Sequence, residues 1–289
     1  MAQSDDDYVF YYYEPSLAAA IIFTILFAAS TIFHIYQCYR RRSWFMIAFI
    51  VGGLFETVGY IGRIISSNDN LSLGPYVMQA LLLLLGPTLY AASIYMILGR
   101  IVLLTNGEEF SLIRRTWLTK FFVTGDVISF LMQGGGGGIL SSADGNESTT
   151  KAGETVIVAS LFVQLFFFGF FAIVAGIFQY RGRAHLNKLA NEIPWKKHLY
   201  VLYTVSILIL IRSVFRIVEY LQGNDGYLLR HEVFLYVFDA VLMLTVMVVM
   251  GVIHPGDIAI MLRERDMDRR SLELEDQGER GATIVMLRK

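Results

Sequence analysis

Eight ionisable residues stand inside stretches that are otherwise apolar: Glu56, Arg63, Asp126, Arg212, Arg216, Glu219, Glu232 and Asp239. Their spacing is helical. Glu56 and Arg63 are seven residues apart, as are Asp126 and Gln133, and Glu232 and Asp239; Arg212, Arg216 and Glu219 step by four and then three. Positions related in this way share one helix face. Gln79 and Gln164 add amides from two further segments, and Tyr60 and Tyr236 add phenols. Carboxylates gathered at one depth can hold an ammonium head group, and guanidiniums can keep those carboxylates ionised or bind a phosphate or carboxylate. A second reading stays open: the same charges as structural ion pairs that pin helix register.

The surroundings make these charges costly. The chain is 55% hydrophobic and 17% charged, against about 25% charged in soluble domains. A bilayer core takes about 20 apolar residues per helix. Seven such stretches are expected, near 15–39, 44–66, 75–104, 115–140, 154–179, 197–221 and 231–253. A charge at a helix centre costs roughly 2.5–3.5 kcal/mol, so Glu56, Asp126, Arg212, Arg216 and Asp239 would together cost about 12–18 kcal/mol in contact with lipid. They must face the bundle interior. The expected fold is therefore an all-α integral membrane protein, a seven-transmembrane-helix bundle over 15–256. An N-terminal tail (1–14) precedes it and a polar tail (257–289) follows. Pro15 suits the first turn of the first helix, and Pro87 is expected to kink the third.

Lys and Arg set the orientation. Alternate connections and the C-terminal tail carry nineteen of them, and the opposite side carries two, Lys151 and Arg230. The N-terminus is thus expected outside and the C-terminus in the cytoplasm. The sequons at Asn70 and Asn146 fall in expected outside loops and are glycosylation candidates. The acidic N-terminus lacks the basic flank of a cleaved signal peptide, so the first span is expected to be retained. The tail aromatics Tyr8, Phe10, Tyr11, Tyr12 and Tyr13 read as an interfacial belt. The charged residues lie from mid-membrane outward, and the cytoplasmic halves of the spans look almost purely apolar. That pattern predicts a charged, hydrated cavity open to the outside over a hydrophobic floor.

Other chemistries lack their residues. No Gly-x4-Gly-Lys-Ser/Thr loop is present, which argues against ATP hydrolysis. The histidines (His34, His185, His198, His231, His254) have no zinc-ligand spacing, and the single cysteine, Cys38, forms no intrachain disulfide. No catalytic residue, metal, cofactor or nucleic-acid partner is expected, and a homo-oligomer is left open. YVMQALLLL at 76–84 and YVFDAVLML at 236–244 match at five of nine positions, aligning Gln79 with Asp239. The match is read either as a weak parallel repeat of helices two and three with six and seven or as chance similarity of apolar segments.

The run SFLMQGGGGGIL at 129–140 continues the fourth span. Glycine in a helix interior costs about 1 kcal/mol relative to alanine. Two readings compensate for that: close approach of helix backbones, or an end that unwinds or lies open beside the polar cavity, with Gly134, Gly135 and Gly136 forming a backbone wall.

The sequence resembles the fungal lipid-translocating exporter family, the seven-helix resistance-to-aminocholesterol proteins. The resemblance rests on GYIGR at 59–63; Gln79, Pro87, Tyr95, Gly99 and Arg100; DVISFLMQGGGGG at 126–138; Gln164 in LFVQL; IRSVFRIVEYLQGNDGYLLRHEVFLYVFD at 211–239; and HPG at 254–256. Ala159-Ser160 departs from an expected glycine. The resemblance implies a multi-pass protein often at the plasma membrane. It also implies links to resistance to toxic amphipaths, to translocation of sphingoid long-chain bases, or to porphyrin or haem transport. The expected partners are membrane lipids and an amphipathic small molecule; a seven-helix sensor or receptor-like regulator is the alternative.

Overall fold

The computed structural model describes residues 16–68, 73–142, 146–189, 193–222, 227–228 and 231–287; the side chains of Asn68, Leu73, Tyr76 and 272–287 lie outside that description. Among the described residues the chain is helical. The helices are α1 (Leu17–Arg41), α2 (Ile47–Asn68), α3 (Leu73–Leu104), α4 (Arg115–Ser141), α5 (Glu147–Leu189) and α6 (Trp195–Gln222). Then α7 (Glu232–Leu235), a π-helical segment (Tyr236–Val241) and α8 (Leu242–Val252) run on without a break, and α9 (Gly256–Leu287) follows. Among the described residues, six helical stretches are long and apolar enough to cross a membrane, with mean hydropathies of 1.7 to 2.5. Helix α4 is not one of the six, because Asp126, Gln133 and five glycines dilute its apolar residues. At 27 residues it still reaches about 40 Å, and it packs between α3 and α5.

Helix α3 is the hub, touching α2, α4, α5, α6 and α9. Its apolar stretch is 72% buried, against 22% for α1. Exposed Ile22, Ile25, Phe33, Phe166 and Ile173 coat the outside, as a lipid-facing surface requires.

Local chemistry sets the helix ends. Ser16 caps α1, its Oγ accepting from Ala19 N–H at 3.4 Å. Arg42 ends α1 in the left-handed region at φ 50°, and its N–H donates to the Cys38 and Tyr39 carbonyls. Asn106 does the same after α3 at φ 51°, and Gly107 N–H closes on Val102 O at 3.0 Å.

Several expectations change. Helix α5 begins at Glu147 rather than near 154 and continues to Leu189 rather than 179. Asn146 is therefore not mid-loop: exposed, it caps α5, its Oδ1 accepting from Ser148 N–H at 3.1 Å. As expected, Pro87 lies inside an α3 that continues to Leu104. The glycine run stays helical to Ser141, which corrects the expectation that this end unwinds. The physical reason is close packing. A Cβ at Gly136 would lie 2.7 Å from Ile157 Cγ1 and 2.9 Å from Gly153 O, and one at Gly153 would lie 3.0 Å from Gly136 O. Helices α4 and α5 cross there backbone to backbone. Gly134, Gly135 and Gly138 face open space, and no packing contact explains them. The π-helical turn between α7 and α8 has no counterpart in α3, so the two stretches of the candidate repeat differ in local structure. Asn70, Pro15 and the N-terminal aromatics lie outside the described residues.

Candidate functional site

Pro87 has no N–H, so the carbonyl four residues earlier, Leu83 O, loses its helical donor. Arg212 Nη2 from α6 donates to that carbonyl. Its Nε donates to Asp239 Oδ1 at 2.7 Å. Arg216, one turn along α6, pairs with Asp239 Oδ2 and, at 2.7 Å, with Glu219. Asp239 sits in the π-helical segment, and inserting such a turn re-aims the residues around it. Two guanidiniums and two carboxylates thus form a cluster with no formal net charge. Arg212 and Asp239 are wholly buried, and Arg216 and Glu219 are 7% and 3% exposed.

Glu56 on α2 completes the centre. It lies within electrostatic range of Asp239, Arg212 and Arg216. It is fully buried, and neither carboxylate oxygen has a hydrogen-bond partner among the described residues. Glycine at position 86 makes the room: a Cβ there would stand 2.7 Å from Glu56 Oε1 and 3.1 Å from its Cδ. The hydroxyls of Tyr60 and Tyr90, Arg212 Nη1 and Arg216 Nε are likewise buried without partners. Native interiors leave few polar atoms in that condition, and here Glu56 lies within electrostatic range of all four residues.

A second group lies toward the start of α1. Arg63 Nη2 binds Glu232 at 2.6 Å, and its Nε donates to the Tyr236 hydroxyl at 3.1 Å. Both Glu232 oxygens accept from Ser16 N–H at 2.9 Å, where a carboxylate complements the α1 dipole. Tyr60 adjoins this group, its ring 6.2 Å from Tyr236, and it also stacks on Phe27 at 5.4 Å.

The third group joins α3, α4 and α5. The Tyr95 hydroxyl donates to Asp126 Oδ1 at 3.4 Å, and Asp126 Oδ2 has no partner among the described residues. Gln133 Nε2 donates to Gln164 Oε1 at 3.2 Å, and Gln164 Nε2 donates to Thr88 Oγ1 at 2.8 Å. Gln79 is buried on α3.

The expected residues do face inward, but not around one open pool. The structure distributes them over three groups, packed and mostly paired. The near-zero exposure of Glu56, Arg63, Arg212 and Asp239 corrects the expectation that they line an outward-open, hydrated cavity. Pairing replaces water: each guanidinium finds a carboxylate within reach. The apolar floor is corrected as well. At the side of the basic loops, His34, Gln37, His198 and His254 are buried. His34 Nε2 meets Met247 O and Gln37 Nε2 donates to Gly251 O, each at 2.9 Å, tying α1 to α8. Gly86, Thr88, Tyr90 and the Leu83 carbonyl were not anticipated. Pro87 was the one available signal, since a helix proline always orphans a carbonyl.

With this geometry in view, comparison with known proteins is decisive. Residues 49–261 match the family described as RTA1 like protein. The chain belongs to the RTA1-like family. It is 38% identical to Protoporphyrin uptake protein 1 of Saccharomyces cerevisiae over 290 residues, covering 87% of this chain and 94% of that one. It is 36% identical to Protein RTA1 of the same yeast, covering 86% of each. Identity to the Sphingoid long-chain base transporter RSB1 of Saccharomyces cerevisiae is 29%, covering 84% of this chain and 72% of that one. No solved structure matches the chain. This RTA1-like chain is a multi-pass membrane protein, and its polar interior lies almost wholly inside the matched region.

Proposed function

We propose that this RTA1-like protein translocates an amphipath with a cationic head group, such as a sphingoid base, and that Glu56 receives the head. The observation that carries this reading is Glu56 itself: wholly buried, with both oxygens free of protein donors, beside a cluster whose own formal charges cancel. An ammonium supplies the missing charge and up to three N–H donors. Asp126, with Oδ2 free, is a second stopping point on the α4 side of α3. Asp239 is occupied by two arginines and serves as scaffold rather than receptor. The yeast relative named as a sphingoid long-chain base transporter supports the substrate class.

The site works within seven spans, with the N-terminus outside and the C-terminus in the cytoplasm, an orientation supported by nineteen basic residues against two. The plasma membrane fits a role in resistance to toxic amphipaths. No catalytic group is assigned, and transport rather than turnover is the activity proposed.

The test uses purified protein in liposomes and a fluorescent sphingoid base. Wild-type protein moves the probe between leaflets, and Glu56→Gln slows it at least tenfold, the loss of about one charge-assisted hydrogen bond. Equal rates with equal folded protein would refute the role of Glu56. Binding without movement would instead favour a lipid sensor. A second substrate has its own support: the relative named for protoporphyrin uptake is 38% identical. The partner-free Arg212 Nη1 and Arg216 Nε suit a porphyrin carboxylate. Under that reading Glu56→Gln leaves porphyrin uptake intact, and Arg212→Gln abolishes it.

A further inference from the structure

A cleft of about 570 Å³ opens between the C-terminal part of α5 and the start of α6, away from the charged interior. On α5, Gly176, Tyr180, Arg183 and Asn187 step by four, three and four and line one face. Lys196 and Tyr200, one turn apart on α6, form the other wall. Gly176 keeps the floor open, since a Cβ there would meet nothing within 4 Å.

The cleft changes character along its length. At one end stand Arg183 and Lys196, both exposed. Among the described residues neither has a carboxylate within ion-pair distance. Lys196 Nζ lies 5.7 Å from the Trp195 ring centroid, which holds the ammonium at the cleft mouth. The next level is aromatic, Tyr180 and Tyr200, 82% and 64% exposed. Seven residues from each tyrosine, Ile173 and Ile207 continue the same faces, 59% and 56% exposed. Cation, phenol and aliphatic surface follow in the order that a phospholipid presents phosphate, glycerol ester and acyl chain. Tyrosines mark the interfacial level of a membrane, and basic pockets between spans bind anionic head groups. The connection over 180–198 adds charge of the same sign, Arg181, Lys188 and Lys197 against one acid, Glu192.

We infer that this cleft is a binding site for an anionic phospholipid of the leaflet on the side of the basic loops. Arg183 and Lys196 take the phosphate, Asn187 hydrogen-bonds the polar head, and the acyl chains lie along Ile173 and Ile207. Free phosphate would use the cations but not the aliphatic wall. The site is separate from Glu56 and has no place in the proposed path of the transported molecule.

The test measures lipid that stays with the protein purified from mixed phosphatidylcholine and phosphatidylinositol vesicles, by mass spectrometry. Wild type should be enriched in phosphatidylinositol. Arg183→Gln with Lys196→Gln should reduce that enrichment roughly 30-fold, at about fivefold per cation. Arg183→Lys with Lys196→Arg should keep it, a control for folding. Glycerophosphoinositol should fail to displace the lipid. Absence of enrichment in wild type, or unchanged enrichment in the glutamine variant, overturns the proposal; so does displacement by the soluble head group, which would mark a phosphate site instead. Should the glutamine variant not fold, wild-type enrichment and the soluble competitor still decide.

Discussion

Pro87 and Arg212 lie on different helices and are coupled through one atom. The proline leaves Leu83 O without its helical donor, and the Arg212 guanidinium takes it. Two sequence features that each look like a defect, a proline inside a span and a charge inside a bilayer, satisfy each other. Pro87→Ala restores the N–H, which then competes for Leu83 O. A helix proline costs about 3 kcal/mol, so α3 alone gains from the change while Arg212 loses an anchor. Thermal stability in detergent should change little, and liposome flip rate should fall several-fold. Unchanged flipping would show that the Leu83 contact has no part in transport.

Asp239 holds two arginines, and its removal leaves Arg212 without its paired carboxylate and Arg216 with Glu219 alone. Asp239→Leu is expected to cost about 3–5 kcal/mol, the range for breaking a buried ion pair from one side. The loss should appear as a lower melting midpoint, or as aggregation on gel filtration. Adding Arg212→Met should recover part of that loss, because the stranded charge is gone. A double variant less stable than Asp239→Leu would argue against the pairing.

The five glycines divide by contact. Gly136→Ala pushes a methyl against Ile157 and the Gly153 carbonyl, and backbone cannot swing aside. Overpacking of this kind costs about 1–3 kcal/mol. Gly134→Ala and Gly135→Ala enter open space and should stabilise α4 by up to ~1 kcal/mol each. Melting curves of the three single variants give the ranking. Destabilisation by all three alike would revive the unwound-wall reading.

Helix α9 is fastened to the ends of two spans. Arg265 donates to Leu104 O at 3.0 Å and to Asn106 Oδ1, Arg263 donates to Arg41 O, and Arg41 pairs with Asp257. These arginines occupy carbonyls that helix C-termini leave orphaned. Arg265→Ala should cost about 1.5–3 kcal/mol, the range for hydrogen bonds from a charged group. Limited proteolysis should then cleave α9 sooner; equal cleavage rates would mean the contacts contribute nothing.

The proposed orientation puts Asn146 outside. Expressed in yeast, the protein should lose mass on endoglycosidase treatment, and Asn146→Asp, which keeps an oxygen to cap α5, should reduce or remove that shift. A shift carried by neither Asn146 nor Asn70 would contradict the topology.

The sequence by itself determined the membrane class, the spacing of charges along each helix, the contrast in basic loops and the family. These follow from local periodicity and from the cost of charge in hydrocarbon, which no arrangement of helices can escape. The heptad steps in α2, in the α7–π–α8 stretch and in α6 correctly put Glu56, Asp239 and the arginines on inward faces. Tertiary structure alone decided who meets whom. That Glu56 lies over Gly86, that Arg212 finds Leu83 O, and that Gly136 crosses Gly153 depend on how helices distant in sequence rotate and approach. The π-helical turn at Tyr236–Val241 is a local departure from the α-helix that no regular 3.6-residue period contains. Pairing likewise turned an expected open, watered cavity into a packed polar interior, because oppositely charged side chains within reach of one another need no water between them.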